Sequence, residues 1–403
     1  MNKIKIPKIP LLARVIIAII FGIICGLFFP AALARVFITF NALFSNFLGF
    51  IIPVLILGLI APGISDLGKS AGKMLLATIA LAYGLTLFSG FFTYFTATLT
   101  FKPILAGAGN FMAAAGPSAV NLNPYFTVEM PPVMQVMSAL ILGFIIGIGT
   151  AVAGGDALKT VMRDLKEVVN FIIVKAIIPL LPFYIYGIFM EMTLAGQVAA
   201  VLGVFIKIIA VIFVITVIIL LIQFGIAGAV AGRNPLKLLK NMLPAYATAL
   251  GTQSSAATIP VTLAQTLKND ISPDVADFVV PLCATIHLSG STIKIVACSM
   301  AIMYVSGMPV NLAIYGGFIM MLGITMVAAP GVPGGAIMAA IGILQTMLGF
   351  DEKAIGLMIA LYIAMDSFGT ACNVTGDGAV AVIIDKFYKS ATGAGAESAA
   401  RAV

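Results

Sequence analysis

The chain has 403 residues, 61% of them hydrophobic and only 9% charged, with a mean hydropathy of +1.16. A water-soluble fold of this composition could not cover its surface, so the sequence describes a protein that crosses a membrane many times. The net charge of +7 does not argue for nucleic acid, because lysine and arginine sit at the ends of apolar runs, where they report topology.

Helices are the expected spanning element, since each satisfies its own backbone in lipid, and no short alternating segments suggest a barrel. The basic start "MNKIKIPKIPLLAR" carries no small-residue cleavage site and reads as the flank of a retained first helix. Apolar runs follow at Leu11–Phe29, Asn41–Ile60, Met74–Leu99, Val133–Ala153, Ala200–Ala229 and Val310–Ala329. Lys3, Lys5, Lys8 and Arg14 precede the first span, and Lys69 and Lys73 follow the second. Lys159, Arg163 and Lys166 follow the fourth, Arg233, Lys237 and Lys240 the sixth, and Lys386, Lys389 and Arg401 close the chain. The loops between hold only Arg35 and Lys102. The pattern predicts six spans before residue 240 and both termini in the cytoplasm.

Beyond residue 240 the regularity fails. "TALGTQSSAATIP" (248–260) and "APGVPGGAIM" (329–338) are small and uncharged, with apolar arms too short to cross twice. "CATIHLSGSTIK" (283–294) interrupts an otherwise apolar span. Broken backbone at membrane depth is tolerated only around a protein-lined cavity, and two interrupted hairpins point to an inverted-repeat transporter with a midplane site. Loops outside the membrane are the competing reading. The four cysteines, Cys25, Cys283, Cys298 and Cys372, lie in apolar surroundings and read as small buried residues, not disulfide partners.

The segment "MDSFGTACNVTGDGAV" (365–380) carries the strongest functional signal. On a helix Thr370, Asn373 and Asp377 all fall within about 40° of Asp366, along about 16 Å of its length. These two aspartates read as the only acids deep inside a span, where each costs about 2.5–3.5 kcal/mol on insertion scales and calls for a partner. A polar contact between helices is the plainer alternative. Asn373–Gly376 are expected to loosen the helix and free carbonyls for a hard cation such as Na⁺. His287, the one histidine, suits either a proton carrier or a neutral hydrogen-bonding role. Lys294 lies too far inside its span to snorkel. It reads as a tethered cation compensating Asp366 or Asp377, or as a residue facing a wet domain interface. Lys175 and Lys207 read as interfacial.

"GTQSSAATIPVT", "VPLCATIHLSGST", "APGVPGGAIM" and "MDSFGTACNVTGD", in this order and spacing, resemble the dicarboxylate/amino acid:cation symporter family, which has the glutamate-transporter fold. The likeness covers essentially the whole chain and is most specific from about 240 to 385. It implies an all-α polytopic protein of eight transmembrane helices and two re-entrant helical hairpins, with inverted repeats, working as a homotrimer in the cell membrane by an elevator motion. Scaffold helices then occupy 1–72 and 132–196. The third helix with a long extracellular loop occupies 73–131, and the transport core 197–403.

Carried over residue by residue, the resemblance makes Asp366 the partner of a passenger's amino group. Thr370, Asn373 and Ser291 are its neighbours, and Ser254, Ser255, Val332, Pro333 and Gly334 belong to the hairpin tips. It makes Asp377 and Asn373, with carbonyls at Cys283 and His287, one Na⁺ site, and Thr285 part of another. Two departures matter. Gly369 stands where members carrying acidic substrates have an arginine, which implies a small neutral amino acid such as serine, threonine or alanine, with room left for its side chain. His287-Leu288-Ser289-Gly290-Ser291 stands for the family's Asn-Met-Asp-Gly-Thr, which implies one or two coupled Na⁺ rather than three. His287 and Lys294 keep sodium-independent or proton-linked exchange open, and an acidic amino acid or dicarboxylate remains the other alternative. An intramembrane aspartyl protease is excluded, because its two carboxylates must share a proton and these lie far apart on one helix. No organic cofactor, enzyme chemistry or nucleic-acid partner is expected, only a small passenger, cations and lipid. Paired ligands for one zwitterion also favour a carrier over a channel.

Overall fold

The computed structural model describes residues 11–66, 73–105, 122–153, 156–327, 329, 331 and 333–392. Lys3, Lys5, Lys8, Lys69, Arg401 and Val332 lie outside the described residues. Among those described, the regular structure is entirely helical. The first part of the chain contains α1 (Leu11–Phe28), α2 (Ala31–Asp66), α3 (Lys73–Leu105), α4 (Val136–Ala153) and α5 (Asp156–Ile172). A π-helical turn, Ile173–Ile177, joins α5 to α6 (Ile178–Leu194), and α7 (Val198–Ala231) follows. Seven helices or helix pairs among the described residues are long and apolar enough to cross a membrane, while the apolar segments Ile141–Ala153, Leu312–Val327 and Gly335–Leu348 are shorter.

Two sets of helices differ in what they bury. In the first, α1 lies along α6, and α2 along α4 and α5. Gly22 and Gly26 face α6 so closely that a Cβ would stand 2.5 Å from the Tyr186 carbonyl oxygen and 2.6 Å from Thr193 Cβ. Apolar side chains gain little by leaving lipid, so close backbone approach through small residues four apart is what holds this pair. Only 28–56% of the apolar window of α1 and α2 is buried within the protein.

The second set is built from short, interrupted helices. Asn234 caps α8 (Pro235–Thr252) by accepting from the Leu236 and Lys237 amides, with Pro235 preset for the first turn. The helix ends where Gln253 turns left-handed at φ 53°, and Ser254 at once caps α9 (Ser255–Leu267), accepting from the Ala257 amide. Two residues therefore reverse the chain. A second hairpin joins α12 (Leu312–Val327) to α13 (Gly335–Leu348), whose first turn is entered through Gly334 at φ 74°. That sign of φ favours glycine. Between the hairpins, α10 (Pro273–Ile286) and α11 (Ser289–Val305) form one span broken at His287–Leu288. Asp351 caps α14 (Glu352–Ala364), and a further break at Met365 opens α15 (Asp366–Thr392).

These two broken spans are the core: 94% of the window in each of Pro273–Val305 and Asp366–Lys389 is buried. The helix α15 is packed against α7, α8, α9, α10 and α11. It carries a third buried acid that the expectation of only two did not include. Asp385 accepts from the Ser272 amide and hydroxyl and pairs with Lys389, which ties the start of α10 to the end of α15. At the crossing of α11 and α15, a Cβ on Gly290 would fall 2.7 Å from Cys372 Cβ and closer still to the Gly369 carbonyl. Gly290→Ala should therefore destabilise the protein by about 1–3 kcal/mol, the usual range for overpacking, read as a lower unfolding temperature in detergent. Gly84→Ala, where a Cβ meets open space, should not lower it.

Candidate functional site

Four chain breaks converge on the start of α15. Asp366 is its first residue, 3% exposed, directly after the irregular Met365. One carboxylate oxygen accepts from the Lys294 ammonium at 2.8 Å. The other accepts from the Gly334 amide, at the tip of the second hairpin, also at 2.8 Å. Lys294 comes from α11, is 1% exposed, and holds its ammonium 3.7 Å from the centre of the Tyr362 ring. The Tyr362 hydroxyl donates to Ser291 Oγ at 3.0 Å, and Asn373 Nδ2 donates to the same oxygen at 3.2 Å. Asn373 Oδ1 in turn accepts from the Gly290 amide at 2.7 Å, in the first turn of α11.

The first hairpin reaches the same place. Ser254 Oγ donates to the Gly331 carbonyl of the opposite tip at 2.7 Å, and Gln253 Nε2 donates to Ser367 Oγ at 2.8 Å. Ser255 and Thr370 are buried beside them. The structure thus brings together Ser254, Gly334, Asp366, Gly369, Thr370, Asn373 and Ser291, with Ser255 at the first tip and Pro333 at the second. Gly369 corrects one expectation. The space it leaves is not open to a passenger's side chain, because a Cβ there would collide with Lys294 Cε and lie 2.5 Å from its ammonium nitrogen. The cation absent from α15 at this position is supplied by α11.

A second buried cluster lies further along the same helix. His287 Nδ1 is 2.9 Å from Asp377 Oδ1, and its Nε2 is 2.9 Å from Ser289 Oγ. Gln223 Nε2 on α7 donates to that same serine at 3.1 Å. Gln223, Ser289, His287 and Asp377 thus form one run of hydrogen bonds, in which the tautomer of the ring sets the roles of its two nitrogens. Asp377 Oδ2 and Gln223 Oε1 are buried with no hydrogen-bond partner among the described residues. Unpartnered buried oxygens, one anionic, are the donors a hard cation such as Na⁺ takes. The residues present therefore fit Na⁺.

The expectation that Asn373–Gly376 loosen the helix is not met, since α15 is continuous from Asp366 to Thr392. Gly376 serves packing instead: a Cβ there would lie 2.6 Å from both Gln223 Oε1 and His287 Cε1. The Leu288 and Met365 carbonyls at the two breaks are not set free either, since they accept from the Thr292 amide and from the Phe368 and Gly369 amides. The Cys283 carbonyl accepts from the His287 amide at 2.9 Å, closing the last turn of α10. Thr285 is exposed and its hydroxyl turns back to the Leu282 carbonyl, so its side chain joins neither cluster. Lys294 meets Asp366, not Asp377. Gln223 and Tyr362 were not anticipated; the lone amide in the apolar run "VIILLIQFGIAG" was the available signal for Gln223, and Tyr362 had none.

A buried carboxylate thus stands against the tips of two helical hairpins, with a second buried polar cluster further along its helix. The profile of the sodium:dicarboxylate symporter family matches residues 11–387. The chain belongs to that family. Serine/threonine transporters SstT from three strains of Acinetobacter baumannii are each 28% identical to this family member over 388 residues, which is 92% of this chain and 95% of theirs. The family and these relatives are transporters by name, and this chain is likewise a multi-pass membrane protein of that kind.

Removing one partner of a buried ion pair strands the other. Asp366→Asn should lower stability by about 3–5 kcal/mol and abolish uptake. Asp366→Asn with Lys294→Met should recover most of the stability and none of the transport, read by unfolding in detergent beside uptake in proteoliposomes.

Proposed function

We propose that this protein is a secondary active symporter that couples Na⁺ to the entry of a small neutral amino acid, of the serine, threonine and alanine class, by alternating access. The observation that carries the reading is Asp366, buried between the two hairpin tips, where a lysine ammonium and a backbone amide meet its two oxygens. The ammonium of an amino acid is the passenger group that a buried carboxylate selects. Its carboxylate would lie at the amino-terminal ends of α9 and α13, around Ser254, Ser255, Pro333 and Gly334, where free amides and the helix dipoles favour an anion. Thr370, Asn373 and Ser291 supply hydroxyl and amide groups for a polar side chain such as that of serine.

Charge accounting favours a neutral passenger. Lys294 and Asp366 cancel, so a zwitterion leaves the buried site neutral, whereas a second carboxylate on the passenger would leave it one negative charge in excess. The relatives' names agree with this choice. For the cation, Asp377 Oδ2 and Gln223 Oε1 are the side-chain oxygens available, with backbone carbonyls at the His287 break and from Cys283 or Asn373 completing the set. Sodium supplies there the positive charge that offsets Asp377. With His287 and Ser289 in place of the family's acidic motif, one or two cations are carried rather than three.

We assign the eighth span to α4 and the two hairpins, α8–α9 and α12–α13, to re-entrant segments. The scaffold then comprises 1–72 and 132–196, and the moving unit 73–131 and 197–403. A homotrimer in the cytoplasmic membrane with both termini inside completes the proposal.

Ligands that bind the folded state raise its unfolding temperature by mass action. Serine, threonine or alanine should each stabilise the purified protein, more strongly with Na⁺ than with choline, while glutamate and succinate should not. Stabilisation by succinate but by no amino acid would overturn the reading. Asp377→Asn should raise the half-saturating Na⁺ concentration at least about tenfold, and uptake should show no third independently saturating Na⁺.

A further inference from the structure

Among the described residues no lysine or arginine is buried except Lys294, and the transport reading gives it no task. Its position is specific. The ammonium occupies Asp366 Oδ1 at 2.8 Å while the Gly334 amide occupies Oδ2. Gly369 provides the space for its last carbon and nitrogen, and the face of Tyr362 lies 3.7 Å behind it. A passenger's ammonium therefore arrives at a carboxylate that already holds an ammonium.

We propose that Lys294 is an internal surrogate for the passenger's ammonium: it neutralises Asp366 when no passenger is aboard, yields that carboxylate when an amino acid binds, and so lets the unloaded carrier return without a counter-cation. The proposal deepens the amino-acid reading and rests on it. Asp366 and Lys294 sum to zero, and so does a zwitterion. The chamber is thus neutral both loaded and unloaded. On loading, the passenger's ammonium takes Asp366, and Lys294 stays against the Tyr362 ring, where a cation keeps a favourable face, within reach of the passenger's carboxylate. On unloading, the pair closes again. Without the lysine, the unloaded chamber would hold one buried, unpaired negative charge, a state that resists both closure and return. The surrogate also competes with its own passenger, so it weakens apparent affinity in exchange for free return, as any internal competitor must.

The wild type and Lys294→Met are compared in proteoliposomes for two modes: exchange of labelled serine against internal serine, and net uptake into serine-free vesicles, both with Na⁺ outside. Exchange never requires the unloaded carrier to return; net uptake does. In the variant, exchange should persist with a half-saturating serine concentration lowered at least about fivefold, because the competitor is gone. Net uptake should fall at least about tenfold relative to exchange. An unchanged ratio of the two modes, or loss of exchange in a folded variant, overturns the proposal.

A second arm needs no transport. Lys294→Ala is unfolded thermally with and without propylammonium, with propanol as the uncharged control. A stabilisation by propylammonium alone, confined to the variant, supports the surrogate role, as does a variant that folds only in its presence. No selective effect, or a variant that stays unfolded with it, counts against the role. If the wild type exchanges no neutral amino acid, the amino-acid reading falls by that result, and the propylammonium arm alone decides whether position 294 is an ammonium seat.

Discussion

A carboxylate in the middle of a membrane protein must be neutralised where it stands, and the meeting of Lys294 with Asp366 is how this fold does it. The pair depends on three local features at once. The break at Met365 puts Asp366 at the free end of a helix, the left-handed Gly334 turns a backbone amide toward it, and Gly369 leaves space for the lysine. Among the described residues a hydrogen bond holds each hairpin tip against α15, from Gln253 to Ser367 and from Gly334 to Asp366, and the tips are joined through Ser254 and Gly331. Parting either tip from both neighbours breaks two of these bonds, each worth about 0.5–1.5 kcal/mol net, or about 1.5–3 kcal/mol for the one to the Asp366 carboxylate.

The two buried clusters share their elements. The first turn of α11 contributes Ser289 to the His287 cluster, and Gly290 and Ser291 to the Asn373 contacts. Both acids stand on one unbroken stretch of α15. A cation pulling on Asp377 and the His287 break would therefore act on the same turn that orders Asn373 beside the passenger's chamber. Coupling between two ligands requires such a shared element, whose arrangement each of them biases. Residues Gln223 and Gly376 fix the far side of that turn, the glycine because no side chain fits between the amide and the imidazole.

The remainder of the molecule obeys a different physics. The helices α1 to α6 leave much of their apolar surface outward, toward lipid, and meet through small residues and close backbones. The broken spans are covered on nearly all sides by protein. This division follows from hydrogen bonding: unbroken helices carry no unsatisfied backbone into lipid, whereas broken ones must be enclosed.

Composition and pattern alone determined that this is a helical membrane protein, that regular spans give way after residue 240 to interrupted ones, and that Asp366, Thr370, Asn373 and Asp377 share one face. Those properties are local: they depend on hydropathy, on glycine, proline and serine at turns, and on the 3.6-residue period of a helix. The tertiary structure decided who meets whom. Periodicity sets a residue's angle within its own helix but not the rotation of one helix against another, so nothing in the spacing could choose between Asp366 and Asp377 as the partner of Lys294. The same limit hid Gln223 and Tyr362, which come from α7 and α14, and it made Gly369 read as empty space. The expected loosening at Asn373–Gly376 failed for a related reason. A glycine within a helix looks the same in sequence whether it breaks the helix or admits a neighbour, and only the neighbour, here Gln223 with His287, tells which.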